Sequence, residues 1–162
     1  MIRPSSGGFS GGPRTRPRIS KRSSAKLASS SSEAPILLYD GHCALCNGWV
    51  SFLLRVDPKG SLRFAPLAGP TAQARLIGHP ELAGIDSVVL IEGPAATARS
   101  TAVLRVVRYL GGFWRVGLIG YLIPREIRDS LYDVVAYWRY RVFGRYPACP
   151  VPPPATRTRF LP

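Results

Sequence analysis

The 162 residues are room for one domain at roughly 100–200 residues each, which excludes a second full catalytic domain. Hydrophobic residues make up 46% of the chain and charged residues 19%, so its bulk can bury a core, while 16 Gly and 16 Pro are many but short of a structureless repeat. A net charge of +13 suits nucleic acid, anionic lipid or acidic protein as a partner, and that charge is unevenly spread.

Residues 1–34 hold seven basic side chains against Glu33 alone, with ten Ser, four Gly and three Pro. So few large apolar side chains cannot offset the entropy of ordering, which predicts a disordered basic tail over 1–34 and a folded domain over 35–162. The tail lacks the apolar stretch of a secretory signal. Its Arg- and Ser-rich, acid-poor composition leaves open a solubilising extension, an organelle transit peptide and a polyanion-binding arm. The expected compartment is the cytoplasm, with an organelle as the alternative if the tail is a transit peptide.

Beyond it the apolar pattern becomes periodic. Residues 36–39 form a short apolar run stopped by Asp40-Gly41, a buried strand leaving through a tight turn. Over 44–56, Leu45, Trp49, Phe52, Leu53 and Val56 fall at helical offsets, and 57–60 end the helix. Residues 62–65 read as a second strand and 71–77 as a short helix capped at Thr71. Residues 87–92 read as an inner strand, 95–99 as an edge strand, and Ser100 as the cap of a helix running to Gly111-Gly112. Residues 113–123 are apolar apart from Arg115, but eleven residues are too few for a bilayer that needs about 20, so a helix packed into the core is expected. Pro124 opens a helix with Ile127, Leu131, Val134, Val135, Trp138 and Val142 on one stripe, ended by Gly144, and a Pro-rich extended segment follows.

Cys43-Ala44-Leu45-Cys46 falls where the first strand gives way to the first helix. Two intervening residues bring both sulfurs within bonding distance on one turn, so the pair can open and close as a disulfide. A helix N-terminus carries about half a positive charge and free N–H donors, which favour a thiolate at Cys43. Lowering a thiol from a pKa near 8.5 to one near 7 raises its thiolate fraction at pH 7 roughly fifteenfold, less some loss of nucleophilicity. Cys43 is therefore expected to attack. Cys46, one turn further in and expected to be the more enclosed, then resolves the mixed disulfide. His42, if protonated, can stabilise the Cys43 thiolate, or it is a loop imidazole of little effect. Asp40 can accept the Cys46 proton, directly or through water, or support the turn by an Asx-type bond, and the two roles can coexist. Against a metal site, Cys149, His42 and His79 are the only further His or Cys ligands and no second close pair exists. A permanent disulfide over four residues would stabilise little, and two inert thiols remain the plain alternative to a redox pair.

The run Tyr39-Asp40-Gly41-His42-Cys43-Ala44-Leu45-Cys46-Asn47 resembles the signature of the DCC family of thiol-disulfide oxidoreductases. So do the stretches 63–67, 100–102, 128–132, 139–144 and 149–152, and the likeness spans about residues 36–161. The resemblance implies an α/β, thioredoxin-like fold, a central sheet flanked by helices with an extended helical C-terminal part. It also implies disulfide exchange with Asp40, Cys43 and Cys46 as the catalytic positions. Better-studied thioredoxin-like proteins carry a cis proline facing the pair; residues 84–88 hold no proline here, so a trans link and a different mode of substrate backbone recognition are expected. Cys149 is either a partly buried thiol in the Pro-rich ending or, with the C-terminal segment folded back, a second resolving thiol in contact with the pair.

The sequence thus predicts a monomeric oxidoreductase of the protein-disulfide reductase type. Its partners would be a disulfide-containing protein or small thiol substrate and an external thiol reductant, without bound cofactor, metal, specific nucleic acid or transmembrane segment. The rival is a non-enzymatic basic module holding nucleic acid or an anionic membrane, weakened by the lack of aromatics interleaved with the basic tail residues.

Overall fold

The computed structural model describes residues 33–82 and 84–162, so all but the last two residues of the expected tail lie outside the described residues. Four short strands form one mixed sheet: β1 (Ile36–Tyr39), β2 (Arg63–Pro66), β3 (Val89–Glu92) and β4 (Ala95–Ala98), in the order β2-β1-β3-β4. β1 runs parallel to β2, in register Leu37 to Phe64, and antiparallel to β3, with Leu37 facing Leu90. Parallel neighbours need a crossover. Helix α1 (Ala44–Val56) supplies it, while β3 and β4 are joined by a tight turn at Gly93.

Because side chains alternate along a strand, the apolar run of β1 feeds both faces of the sheet. Leu37 and Tyr39 join Val50, Leu53, Phe64, Leu90 and Val106 on one side, under α1 and α3 (Arg99–Leu110). Ile36 and Leu38 join Ala65, Ala72, Val89 and Ile91 on the other, under α2 (Pro70–Leu76). This is the thioredoxin-like α/β arrangement expected from the resemblance.

Several boundaries differ from the sequence reading. β2 begins one residue later, and β3 begins at Val89 because the Val88 N–H is taken by the Tyr132 hydroxyl (3.0 Å). α2 starts from Gly69 with Pro70 in its first turn, not from a Thr71 cap; the Thr71 N–H bonds the Pro162 carbonyl (3.0 Å) instead. Ser100 lies inside the first turn of α3 and gives its hydroxyl to Asp129 (2.5 Å), so the cap position falls to Ala98.

The larger corrections concern the last third. Residues 113–123 are not a core helix. Gly112–Leu122 is a 3-10 segment with no buried residue, Phe113 and Leu122 being 80% and 83% exposed. Its glycines explain why. A Cβ at Gly120 would stand 3.0 Å from the Leu104 side chain, so the segment presses its smooth face on α3 and turns its large side chains outward. α4 (Arg125–Phe143) has the expected extent, but its apolar stripe of Ile127, Leu131, Val134, Val135, Trp138 and Val142 is exposed. The one buried residue of α4 is Arg139.

After α4 the chain folds back over the domain. Phe160 bridges Phe64 beside β2, and the Leu161 N–H bonds the Phe64 carbonyl (2.8 Å). Among the described residues no helix is long and apolar enough to cross a membrane.

Candidate functional site

Asp40 ends β1 and folds the chain toward α1 by an Asx-type turn: its Oδ1 accepts the His42 N–H (2.9 Å) and its carbonyl the Cys43 N–H (3.3 Å). Asn47, one turn into α1, pins this loop by donating to the Gly41 and Cys43 carbonyls (2.8 and 2.9 Å). Cys43 is the N-cap of α1, and its Sγ accepts the Cys46 backbone N–H at 3.3 Å. The sulfur thus does the work usually left to a Ser or Asp oxygen, in the region where the helix concentrates free N–H donors.

The expected order of burial is reversed. Cys43 is wholly enclosed (0% exposed), whereas Cys46 is 9% exposed. The cause is a strap formed by the chain leaving α4. Arg145 bridges Cys43, the Ala44 N–H bonds the Gly144 carbonyl (3.3 Å), and the Tyr146 N–H bonds the His42 carbonyl (2.8 Å). The His42 ring follows the strap as well, its Nδ1 donating to the Tyr146 carbonyl (3.2 Å). Burial pushes the Cys46 thiol well up, helped by Cys43 and the Asp40 charge, and Arg139 only partly offsets this.

Arg139 is the residue that sequence reading missed. Its side chain is 4% exposed, and it donates to Asp86 through Nη2 and Nη1 (2.5 Å to Oδ1, 3.0 Å to the carbonyl), to Asp40 Oδ2 (3.3 Å) and to the Tyr140 hydroxyl (3.0 Å). Tyr140 in turn donates to Asp40 Oδ2. Burial alone would raise the Asp40 carboxyl, but the Tyr140 and His42 bonds and the Arg139 charge hold it below its usual value. Burial likewise opposes the Arg139 charge, and its bonds to Tyr140 and Asp86 more than restore it. The available signal was a guanidinium three residues before Val142 and four after Val135, at the edge of an apolar stripe. Asp40 therefore does hold the turn, and both of its oxygens are engaged.

The chain folds back at Cys149, but its sulfur meets the turn at Gly41. A Cβ at Gly41 would lie 2.5 Å from the Cys149 sulfur, and Cys149 adds to the burial that raises the Tyr39 hydroxyl. Cys149 is exposed, not partly buried, and all three cysteines are free thiols. No cis peptide occurs among the described residues. In 86–88 the Asp86 carbonyl is bonded by Arg139 and the Val88 N–H by Tyr132, so α4 side chains occupy backbone groups that a substrate strand would need. Among the described residues no three of His, Cys, Asp and Glu gather closely enough to hold a metal ion.

A mixed β2-β1-β3-β4 sheet with a Cys-x-x-Cys pair capping its first helix defines a thioredoxin-like protein. Residues 37–145 match the model of DCC1-like thiol-disulfide oxidoreductases, and the chain belongs to that family. It is 40% identical to the uncharacterized protein YuxK of Bacillus subtilis, over 78% of this chain and 93% of that one. It is 37% identical to a chloroplastic DCC family protein of Arabidopsis thaliana, over 71% of this chain and 68% of the relative. No solved structure matches it.

Proposed function

We propose that the protein exchanges its Cys43/Cys46 dithiol with a substrate disulfide, acting as a reductase of protein or small-molecule disulfides that an external thiol recharges. The observation that carries this reading is the Cys43 sulfur capping α1 with the Cys46 N–H directed at it. Charge on that sulfur is met by the positive end of the helix, and the partner sulfur is one turn away. Cys43 attacks the substrate disulfide and the first substrate sulfur leaves and takes a proton; Cys46 then attacks the Cys43 sulfur, closing the intramolecular disulfide and expelling the second substrate sulfur, which takes the other proton. Cys46 must lose a proton in that second step, and the proton goes to the departing substrate thiolate through water, while the ionised Asp40 holds the turn that keeps the two sulfurs in place. His42 and Cys149 modulate the pair through the strap, which must lift before Cys43 meets a bulky disulfide. The name of the Arabidopsis relative favours the organelle alternative for the compartment.

Trapping tests the roles. Cys46→Ser protein incubated with an oxidised substrate should accumulate a mixed disulfide at Cys43, while Cys43→Ser protein should not and should lose turnover at least a hundredfold. A Cys43→Ser protein that reduces insulin at the wild-type rate removes the reading. Polyanion or anionic-vesicle binding by a wild type inert toward every disulfide supports the rival binding module.

A further inference from the structure

Cys46 borders a cavity of about 500 Å3 between α1, α3, the 3-10 segment and α4, within the range of small-molecule sites. Leu45, Trp49, Val103, Leu104 and Val135 contribute to its almost wholly apolar wall. Another cavity lies beside Asp40, His42 and Cys149, but neither sulfur of the pair borders it. The two cysteines therefore look in different directions, Cys43 toward the strap and Cys46 toward an apolar chamber.

Two polar atoms belonging to residues of that wall are buried without any hydrogen-bond partner: Arg139 Nε and Arg128 Nη1. An unpaired buried donor is costly, and structures seldom keep one without a purpose. The chamber thus offers long apolar walls and the Cys46 side chain, with the two unpaired guanidinium nitrogens buried behind its surface. A glutathione molecule would lose the hydration of its ammonium there with no carboxylate in the wall to meet it, and Arg139 already has its charge matched by Asp86 and Asp40. An aliphatic chain ending in a carbonyl would satisfy both the walls and the guanidinium nitrogens.

We propose that this cavity admits the external thiol that recharges the pair, and that this reductant is a small aliphatic dithiol carrying a carbonyl-type acceptor, the chemistry of dihydrolipoamide. The inference rests on the exchange reading above and names its electron donor. A donor thiolate attacks Cys46 Sγ, the Cys43–Cys46 bond breaks, and Cys43 leaves as a thiolate at the helix N-terminus before taking a proton. The donor's second thiolate then attacks its own sulfur in the mixed disulfide, closing a dithiolane. Cys46 leaves as a thiolate and takes the other proton. Two electrons and two protons pass from donor to protein. The alkyl chain lies along Trp49, Leu104 and Val135 while its carbonyl accepts from the two arginines.

The test compares reduction of the oxidised wild-type protein by dihydrolipoamide, dithiothreitol and glutathione, followed by alkylation of the freed thiols. Dihydrolipoamide is expected to be at least tenfold faster than either. Calorimetry with butanamide, hexanamide and octanamide, which cannot exchange, should show affinity rising about fifteenfold for each two methylenes, as burial in an apolar chamber requires. Arg128→Met and Val135→Trp, both at partly or largely exposed positions, should each lower the dihydrolipoamide-to-dithiothreitol rate ratio about tenfold. Affinity independent of chain length, or a ratio unmoved by both variants, overturns the assignment. Equal rates for the two dithiols, with insulin still reduced through Cys43, overturn it while sparing the exchange reading; a pair that no thiol or disulfide can interconvert overturns both.

Discussion

Cys43 and Cys46 are three residues apart yet differ sharply in surroundings. Cys43 lies under the strap with the α1 N-terminus beneath it, and Cys46 faces the apolar chamber with its thiol form favoured by burial. The direction of the Cys46 shift has a consequence for stability. A group whose folded pKa is raised contributes stability in full below its unfolded pKa, near 8.5 for a thiol, and loses it as pH climbs toward the folded value. The reduced protein should therefore weaken between about pH 8 and 9.5 by up to about 1.4 kcal/mol per pH unit from this group. Tyr39 and Tyr109 are also raised, Tyr109 to about 12, but unfolded tyrosines titrate near 10 and act later. Urea unfolding under reductant should show the stability gap between wild type and Cys46→Ala moving by that amount across the window, and a gap constant with pH would contradict it.

At the scale of elements, the site is a join between a helix start and a returning strap. Gly41 is where they touch: its φ is ordinary, but a Cβ there would meet the Cys149 sulfur at 2.5 Å and its Cβ at 3.2 Å. Gly41→Ala should therefore push the strap away at a cost of about 1–3 kcal/mol, the usual range for overpacking. If strap and Cys43 are coupled as the 42–146 bonds imply, iodoacetamide should label Cys43 about tenfold faster in this variant, and Cys149→Gly should restore slow labelling in the double variant. Equal labelling in all three would show that the strap does not guard the thiol.

The same join marks the limit of what the sequence could show. β1 and α1 were legible because their signals are local: a four-residue apolar run, an Asp-Gly stop, helical spacing and the 57–60 break. The pairing of Arg145 with Cys43 spans about a hundred residues and leaves no periodic trace. Arg139 was hidden for a related reason. Hydrophobic spacing finds an apolar stripe but not the partner it faces, and on α4 the inward side is Tyr132, Ala136, Arg139 and Tyr140, while the apolar stripe is exposed, Leu131 and Val135 bordering the open chamber. Residues 113–123 misled through the same rule, since apolar content predicts burial only if another surface is present to cover it.

Over the whole molecule, the C-terminal return closes the domain at two distant points, and the second is a buried ion pair. Asp57, 3% exposed at the C-cap of α1, accepts the Ser61 and Leu62 N–H groups (both 3.1 Å), fixing the turn into β2. Arg159 reaches this carboxylate at 2.6 Å and also donates to the Asp57 and Leu62 carbonyls (3.0 and 3.1 Å), while Phe160 packs on Phe64 with ring centroids 5.4 Å apart. Such a pair adds little over an apolar substitute, but removing one partner strands a charge in the interior. Arg159→Ala should accordingly cost about 3 kcal/mol or more, against less than about 1 kcal/mol for Arg125→Ala, whose pair with Asp129 sits on the surface side of α4. Because the last residues also bond β2 and the start of α2, the loss should spread: amide exchange should quicken at Leu161 and Thr71 as well as at Leu62. Urea unfolding of both variants with exchange at those amides checks this. Equal costs for the two arginines would mean that the terminal segment is an ornament on the domain, not its clasp.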